Sequence, residues 1–87
     1  MSQVHEVRVV WEVSEDLKDK SNEWFDVLEI LIKAGDIVSK HHSLAVIENA
    51  KGAGEFESPI AGEIKEILVK EGERYHYNDV LCAIEEK

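Results

Sequence analysis

A ten-residue pattern occurs twice in this 87-residue chain, and it limits the possible folds more than any other feature of the sequence. The first copy is VLEILIKAGD at residues 27–36, and the second is IKEILVKEGE at residues 64–73. At the same spacing, LAVIE at 44–48 aligns with LCAIE at 81–85. Solenoids need three or more repeats to bury a continuous core. Two units of this size therefore predict two β-meanders related by an internal two-fold.

Short runs rich in Val, Ile and Leu predict strands within each unit. The run at 7–13 alternates and puts four apolar residues on one face: Val7, Val9, Trp11 and Val13. Residues 30–32 and 67–69 are continuous apolar runs, as expected for strands enclosed in a small sandwich. Residues 58–62 contain the only proline and predict a corner, because proline cannot donate to a central ladder.

Residues 24–32 also fit a helical stripe that ends at Gly35. The repeat favours a strand, because the matching segment at 64–70 follows Pro59 and Gly62 too closely for a helix of ordinary length. The sequence therefore predicts an all-β fold.

Residues 48–52 predict a tight turn with a lysine at its tip. Asn49 and Gly52 stand at the first and fourth positions that a type I turn favours. A three-residue hairpin loop of this kind ends in the left-handed region, which Gly52 tolerates. Such a turn points the Lys51 side chain into solvent and offers one amine for covalent modification. Most lysines are plain surface residues, so this interpretation depends on the surrounding architecture.

Composition excludes several classes of function. The formal net charge of −9 argues against nucleic-acid binding and favours a partner with a basic surface. We expect one domain, residues 1–87, with no membrane-spanning run and no signal peptide. The single cysteine, Cys82, excludes an internal disulfide and fits a cytoplasmic location.

No arrangement of residues typical of catalysis occurs in the sequence. The histidines lack metal-type spacing, so no metal site is predicted; they are His5, His41, His42 and His76. No Ser or Cys is flanked by a recognisable base or oxyanion motif, and Cys82 fits a small core residue. The aromatic residues predict core and edge packing; they are Trp11, Trp24, Phe25, Phe56, Tyr75 and Tyr77. We predict that the chain is not an enzyme.

Two features of the sequence fit either a purely structural or a functional interpretation. The charged stretch at 14–23 predicts an exposed loop, which is either a solvated connector or a partner-recognition loop. The carboxylates of Glu48, Glu55 and Glu57 could orient a basic partner, or they could be ordinary surface charge.

With the turn and the repeat in place, the sequence resembles the lipoyl domains of the biotinyl/lipoyl attachment family, like those of 2-oxoacid dehydrogenase acyltransferases. The matching pieces are LIKAGDIV at 31–38, SLAVIE at 43–48, Lys51, ESPIAGEI at 57–64 and ILVKEG at 67–72. The resemblance implies a flattened β-barrel, or barrel-sandwich hybrid, of two four-stranded sheets with quasi-two-fold symmetry. It places the cofactor lysine at a hairpin turn.

The same resemblance implies a function and its partners. Lipoate would be attached to the side-chain nitrogen of Lys51, and the arm would shuttle acyl or aminomethyl intermediates within a multienzyme complex. A 2-oxoacid dehydrogenase complex is favoured over glycine cleavage. Implied partners are a lipoate ligase, or octanoyltransferase and lipoyl synthase, and the oxidative decarboxylase, acyltransferase and dihydrolipoyl dehydrogenase components. The chain itself would be a monomeric, non-catalytic carrier. The modifying enzyme would recognise the residues around the lysine, namely Glu48, Asn49, Ala50 and Gly52.

The turn also departs from the family pattern. Lipoyl domains of acyltransferases usually carry Asp before the lysine and Ala after it, whereas Ala50 and Gly52 stand here. Biotin carriers typically bracket their lysine with methionines, and the only methionine here is Met1. Lipoate is therefore favoured over biotin. The alternatives are a biotin carrier domain and an unmodified barrel-sandwich interaction module.

Overall fold

The computed structural model describes residues 3–11 and 23–87, which form eight β-strands. The strands are β1 (Val4–Arg8), β2 (Trp24–Ile30), β3 (Ile37–Val38), β4 (Ser43–Asn49), β5 (Gly52–Glu57), β6 (Gly62–Ile67), β7 (Arg74–His76) and β8 (Val80–Glu86). They build two four-stranded antiparallel sheets, in the orders β1-β8-β6-β3 and β5-β4-β2-β7. The predicted all-β fold is confirmed, and so is the strand interpretation over residues 24–30. Within the described ranges, no helix is long and apolar enough to cross a membrane.

Strands that the sequence repeat relates occupy equivalent places in the two sheets. β2, β3 and β4 correspond to β6, β7 and β8, respectively. β5 is an edge strand of one sheet, and β1 is the equivalent edge strand of the other. Each sheet contains strands from both halves of the chain, since β3 pairs with β6 and β7 pairs with β2. The predicted quasi-two-fold is therefore an interlocked arrangement, in which neither half completes a sheet alone.

Hydrogen bonds at the two glycine turns repeat this symmetry. Gly35 N–H donates to the carbonyl of Ile64 at 2.7 Å, and Gly72 N–H donates to the carbonyl of Val27 at 2.7 Å. Both glycines have positive φ, 97° and 84°, which side chains rarely adopt. Each of these turns ties its own half of the chain to the other.

A second equivalent pair shows how β1 corresponds to β5. His41 and Asn78 both have left-handed φ, 76° and 77°, a region in which His and Asn are enriched among residues other than glycine. His41 N–H donates to Ser58 O, and Asn78 N–H donates to Val9 O, each at 2.8 Å. Val9 after β1 therefore occupies the place of Ser58 after β5.

The core lies between the sheets and is almost entirely aliphatic. Its buried hydrophobic residues are Val7, Val9, Phe25, Val27, Ile32, Val38, Leu44, Ala45, Ile47, Ile64, Val69, Leu81, Cys82 and Ile84. Cys82 is fully buried, as predicted, and burial raises the pKa of its thiol to about 11. At neutral pH this side chain is therefore a protonated, inaccessible thiol.

Two strand predictions need correction. β1 ends at Arg8 and not at 13, because its register with β8 shifts after Val7 and Val9 N–H bonds to Asp79 O at 3.0 Å. Val7 and Val9 are buried and Trp11 is half-buried, as the alternation predicted, whereas Val13 lies outside the described residues. The runs at 30–32 and 67–69 lie at the ends of β2 and β6. Their central residues, Leu31 and Leu68, are exposed.

We predict that Gly62→Ala lowers the free energy of unfolding by about 1–3 kcal/mol, as overpacking does. An added Cβ at Gly62 would overlap the carbonyl oxygen of Glu85 and lie 2.8 Å from Ile84 Cγ2. The matched control is Gly54→Ala, because a Cβ there meets no atom within 4 Å and φ is not positive. Urea unfolding measures both variants. Equal midpoints for the two would contradict the close approach of β6 to β8.

Candidate attachment site

Lys51 lies at the tip of the β4–β5 hairpin. Asn49 pairs with Gly52 across the ladder, so the connecting loop consists of Ala50 and Lys51. The predicted hairpin turn is confirmed, but the predicted three-residue loop is wrong. Gly52 remains in the ladder, and its φ of 140° allows the chain to reverse direction at this point. Ala50 and Lys51 keep negative φ, because the positive-φ residues other than glycine in the described chain are His41 and Asn78.

The Asn49 side chain fixes the direction of this turn. Its Oδ1 accepts a hydrogen bond from the backbone N–H of Lys51 at 2.9 Å. An Asn side chain that bonds the main chain two residues on imitates a backbone turn. The backbone of Lys51 is thereby held, while its side chain stays exposed.

Three other lysines, Lys33, Lys65 and Lys70, occupy different surroundings. Lys65 lies within β6, and its Nζ is 3.5 Å from carboxylate oxygens of both Glu63 and Glu85. Glu63 first, and then Glu85, raise the pKa of the Lys65 amine by charge attraction. Lys33 and Lys70 are exposed and lie beside the turns that follow β2 and β6. Of these four lysines, Lys51 alone lies at the tip of a two-residue hairpin.

The acidic residues near the turn differ in their contacts. Glu55 accepts a hydrogen bond from Ser43 Oγ at 2.9 Å, and a Glu57 oxygen lies 3.4 Å from His41 Nδ1. Glu48 is exposed and lies opposite Asp26 in the ladder. Glu55 and Glu57 are thus engaged on the surface of the barrel itself, while Glu48 offers an exposed carboxylate three residues before the lysine.

Asp26 links this region to the next strand. Its carboxylate accepts two hydrogen bonds from Arg74, at 2.7 and 3.1 Å, and these hold the pKa of Asp26 below its usual value. The Arg74 guanidinium also lies 3.9 Å from the centre of the Trp24 ring. Asp26 is therefore engaged by Arg74, and Glu48 is the more exposed carboxylate of the ladder pair.

A groove lies beside the turn, and sequence reasoning missed it. Val10 and Trp11 face β5 across an open space of about 420 Å³, which Lys51 also lines. The Trp11 ring packs edge-on against Tyr77 and Phe25, with centroids 4.9 and 6.1 Å apart. The aromatic packing predicted for Trp11 is confirmed. Its place beside the hairpin follows from how the chain leaves β1, for which no local sequence signal exists.

The symmetry-related end of the barrel carries the chain termini where the turn would be. Glu86 N–H donates to Gln3 O at 2.8 Å, at the register position that Asn49 and Gly52 occupy in the other half. Within the described residues, β8 and β1 therefore pair at this end without a hairpin that matches the Lys51 turn.

Two further predictions concern other parts of the surface. Among the residues that the structure describes, no group of three His, Cys, Asp or Glu side chains is placed to hold a metal ion. The predicted charged loop at 14–23 lies outside the described residues, except for Glu23.

Comparison with known proteins identifies similar sequences. The Biotin_lipoyl family model, described as "Biotin-requiring enzyme", matches residues 19–84. Three similar curated proteins are each a dihydrolipoyllysine-residue acetyltransferase component of a pyruvate dehydrogenase complex. The one from Azotobacter vinelandii is 37% identical over 69% of this chain, that from Mycoplasma capricolum 38% over 69%, and that from Haemophilus influenzae 30% over 84%. This chain spans only 9%, 14% and 13% of their respective lengths.

A solved structure shares the fold. A single-chain, multi-domain long-chain acyl-CoA carboxylase superposes with a TM-score of 0.74 over 97% of this chain and 7% of its own, at 18% identity. This similarity is consistent with the predicted barrel-sandwich architecture.

We predict that Asn49→Ala speeds amide-proton exchange at Lys51, because the turn loses the acceptor that holds this N–H. A hydrogen bond of this kind contributes about 0.5–1.5 kcal/mol. The matched control is Asn49→Asp, which keeps an oxygen acceptor at the same position. Exchange is followed by NMR, and an unchanged Lys51 rate in Asn49→Ala would refute a fixing role for the side chain.

Proposed function

The chain belongs to the Biotin_lipoyl family, and we propose that Lys51 is its attachment residue and carries lipoate. The observation that supports this assignment is the position of Lys51, exposed at the tip of a two-residue hairpin whose backbone Asn49 holds. An attachment enzyme needs one amine that it can reach in a fixed setting, and the other lysines considered lie on a strand or beside broader turns. The resemblance inferred from the sequence is confirmed at the level of the family.

The choice of lipoate over biotin rests on two observations. Ala50 and Gly52 flank the lysine, where biotin carriers typically have methionines. The similar curated proteins are named for a dihydrolipoyllysine residue. The family model covers both attachments, so the cofactor is part of the proposal.

The chemistry of attachment uses one group of this chain. The Lys51 amine attacks an activated lipoyl carboxyl, the activating group leaves, and the amide nitrogen retains one hydrogen as a proton is lost. When bound, lipoate supplies a disulfide that accepts acyl or aminomethyl groups. The turn holds the base of the arm, and the tether raises the local concentration of its reactive end at several active sites.

The partners follow from this role. We expect Lys51 to be modified by a lipoate ligase, or by an octanoyltransferase and lipoyl synthase, which recognise Glu48, Asn49, Ala50 and Gly52. The loaded arm would then serve oxidative decarboxylase, acyltransferase and dihydrolipoyl dehydrogenase components of a cytoplasmic 2-oxoacid dehydrogenase system, in preference to glycine cleavage. The net charge of −9 favours partners with basic surfaces. The chain itself would act as a monomeric carrier and not as a catalyst.

Intact mass after incubation with lipoate ligase, ATP and lipoate tests the attachment. We expect one lipoyl adduct, assigned by peptide mapping to Lys51 and absent from Lys33, Lys65 and Lys70. Lys51→Arg keeps the positive charge and should abolish labelling without changing the unfolding midpoint, because an exposed side chain at a turn contributes little packing.

Incubation with biotin ligase under matched conditions separates the cofactors. A biotin adduct alone would make the chain a biotin carrier, and a folded chain that takes neither would make it an unmodified interaction module.

A further inference from the structure

We propose that the groove beside Lys51 is a docking site for the dithiolane end of the arm that Lys51 carries. The proposal rests on the proposed lipoylation and extends it, because it gives the arm a resting position on its own carrier. The occupant is an apolar, uncharged ring on a hydrocarbon chain.

The position of the groove selects this occupant. Lys51 lines the space, so an arm attached to its Nζ begins at the edge of the groove. A short flexible tether gives an effective concentration of roughly millimolar at such a nearby site. Weak apolar contacts are therefore enough to populate the docked state. The volume of about 420 Å³ falls within the range of about 300–1,000 Å³ that small-molecule sites occupy.

The lining suits an uncharged, apolar group. Val10 and Trp11 form one wall, and Phe56 and Ile47 contribute from the hairpin strands. Val10 is 46% exposed and leaves apolar surface for the arm to cover. Acylation removes the positive charge of Lys51 and leaves Glu55 as the charged side chain of the lining. An uncharged group is therefore a better occupant than an anion.

The two-fold of the barrel shows that the residues beside the groove are smaller than their equivalents at the other end. Gly54 lies opposite Ile47, and the corresponding pair at the other end is His5 opposite Ile84. Ala53 likewise corresponds to Val4. The half that carries the lysine thus has small residues where the other half has larger ones. A Cβ at Gly54 would meet no atom within 4 Å, so the small residue is not required by close packing.

The experiment uses the full chain with lipoate on Lys51, after intact mass has verified the adduct. We expect nuclear Overhauser cross-peaks between lipoyl protons and the Trp11 indole, and a shift of the Trp11 indole N–H relative to a chain with acetyllysine at position 51. Acetyllysine removes the same charge but provides no arm. Lipoylated chain without these cross-peaks overturns the docking site while leaving the attachment intact. A chain that takes no adduct overturns the proposed function, and the docking site with it.

Two variants separate docking from general contact with the surface. Gly54→Leu fills the groove at a position with open space and without positive φ, and should abolish the cross-peaks while Lys51 is still lipoylated. His5→Leu adds the same side chain at the equivalent position of the other end and should preserve them. Cross-peaks of unchanged intensity in folded Gly54→Leu would overturn the proposal. If that variant does not fold, the result from the unsubstituted chain decides.

Discussion

The reciprocal hydrogen bonds of the two glycine turns are the constraint on which the rest of the fold depends. Gly35 bonds to the carbonyl of Ile64 and Gly72 to that of Val27, so each half closes against the other. Because the short strands β3 and β7 pair with strands of the opposite half, one copy of the repeat would leave them without a ladder. The body of the molecule is therefore symmetric, and the differences between its two ends distinguish the Lys51 site from the opposite end.

Those differences are few, and they are concentrated at one end. One pole has a closed turn at Lys51 with small residues beside it, whereas the other has the chain termini. Gly52 illustrates how the asymmetry arises. Its φ of 140° allows the ladder to continue up to a two-residue loop, while the matching place near Gln3 needs no reversal. A duplicated scaffold can thus present one lysine at the tip of a two-residue hairpin.

The sequence predicted the symmetric part better than the site. The repeat appears in the side chains, so it predicted the all-β fold and the two-fold, whereas Asn49 and Gly52 predicted the turn that carries Lys51. The equivalence of β1 and β5 could not be found in this way, since it is held by backbone bonds to Val9 and Ser58, whose side chains differ. The groove lined by Val10, Trp11 and the hairpin escaped prediction, because no local sequence signal shows where the chain runs after β1. The loop length was wrong because a glycine with positive φ can stand either within a ladder or just after it.

If Lys51 carries a dithiolane, the burial of Cys82 has a chemical consequence. A dithiolane is a disulfide, and any thiolate within reach of the arm could open it by thiol–disulfide exchange and trap the carrier as an internal mixed disulfide. Cys82 is the only cysteine of the chain, and it is fully buried with its thiol pKa raised to about 11. The core thus keeps the one competing sulfur protonated and out of contact. If Lys51 carries a dithiolane, Cys82 would therefore not compete in its thiol–disulfide exchange with other molecules.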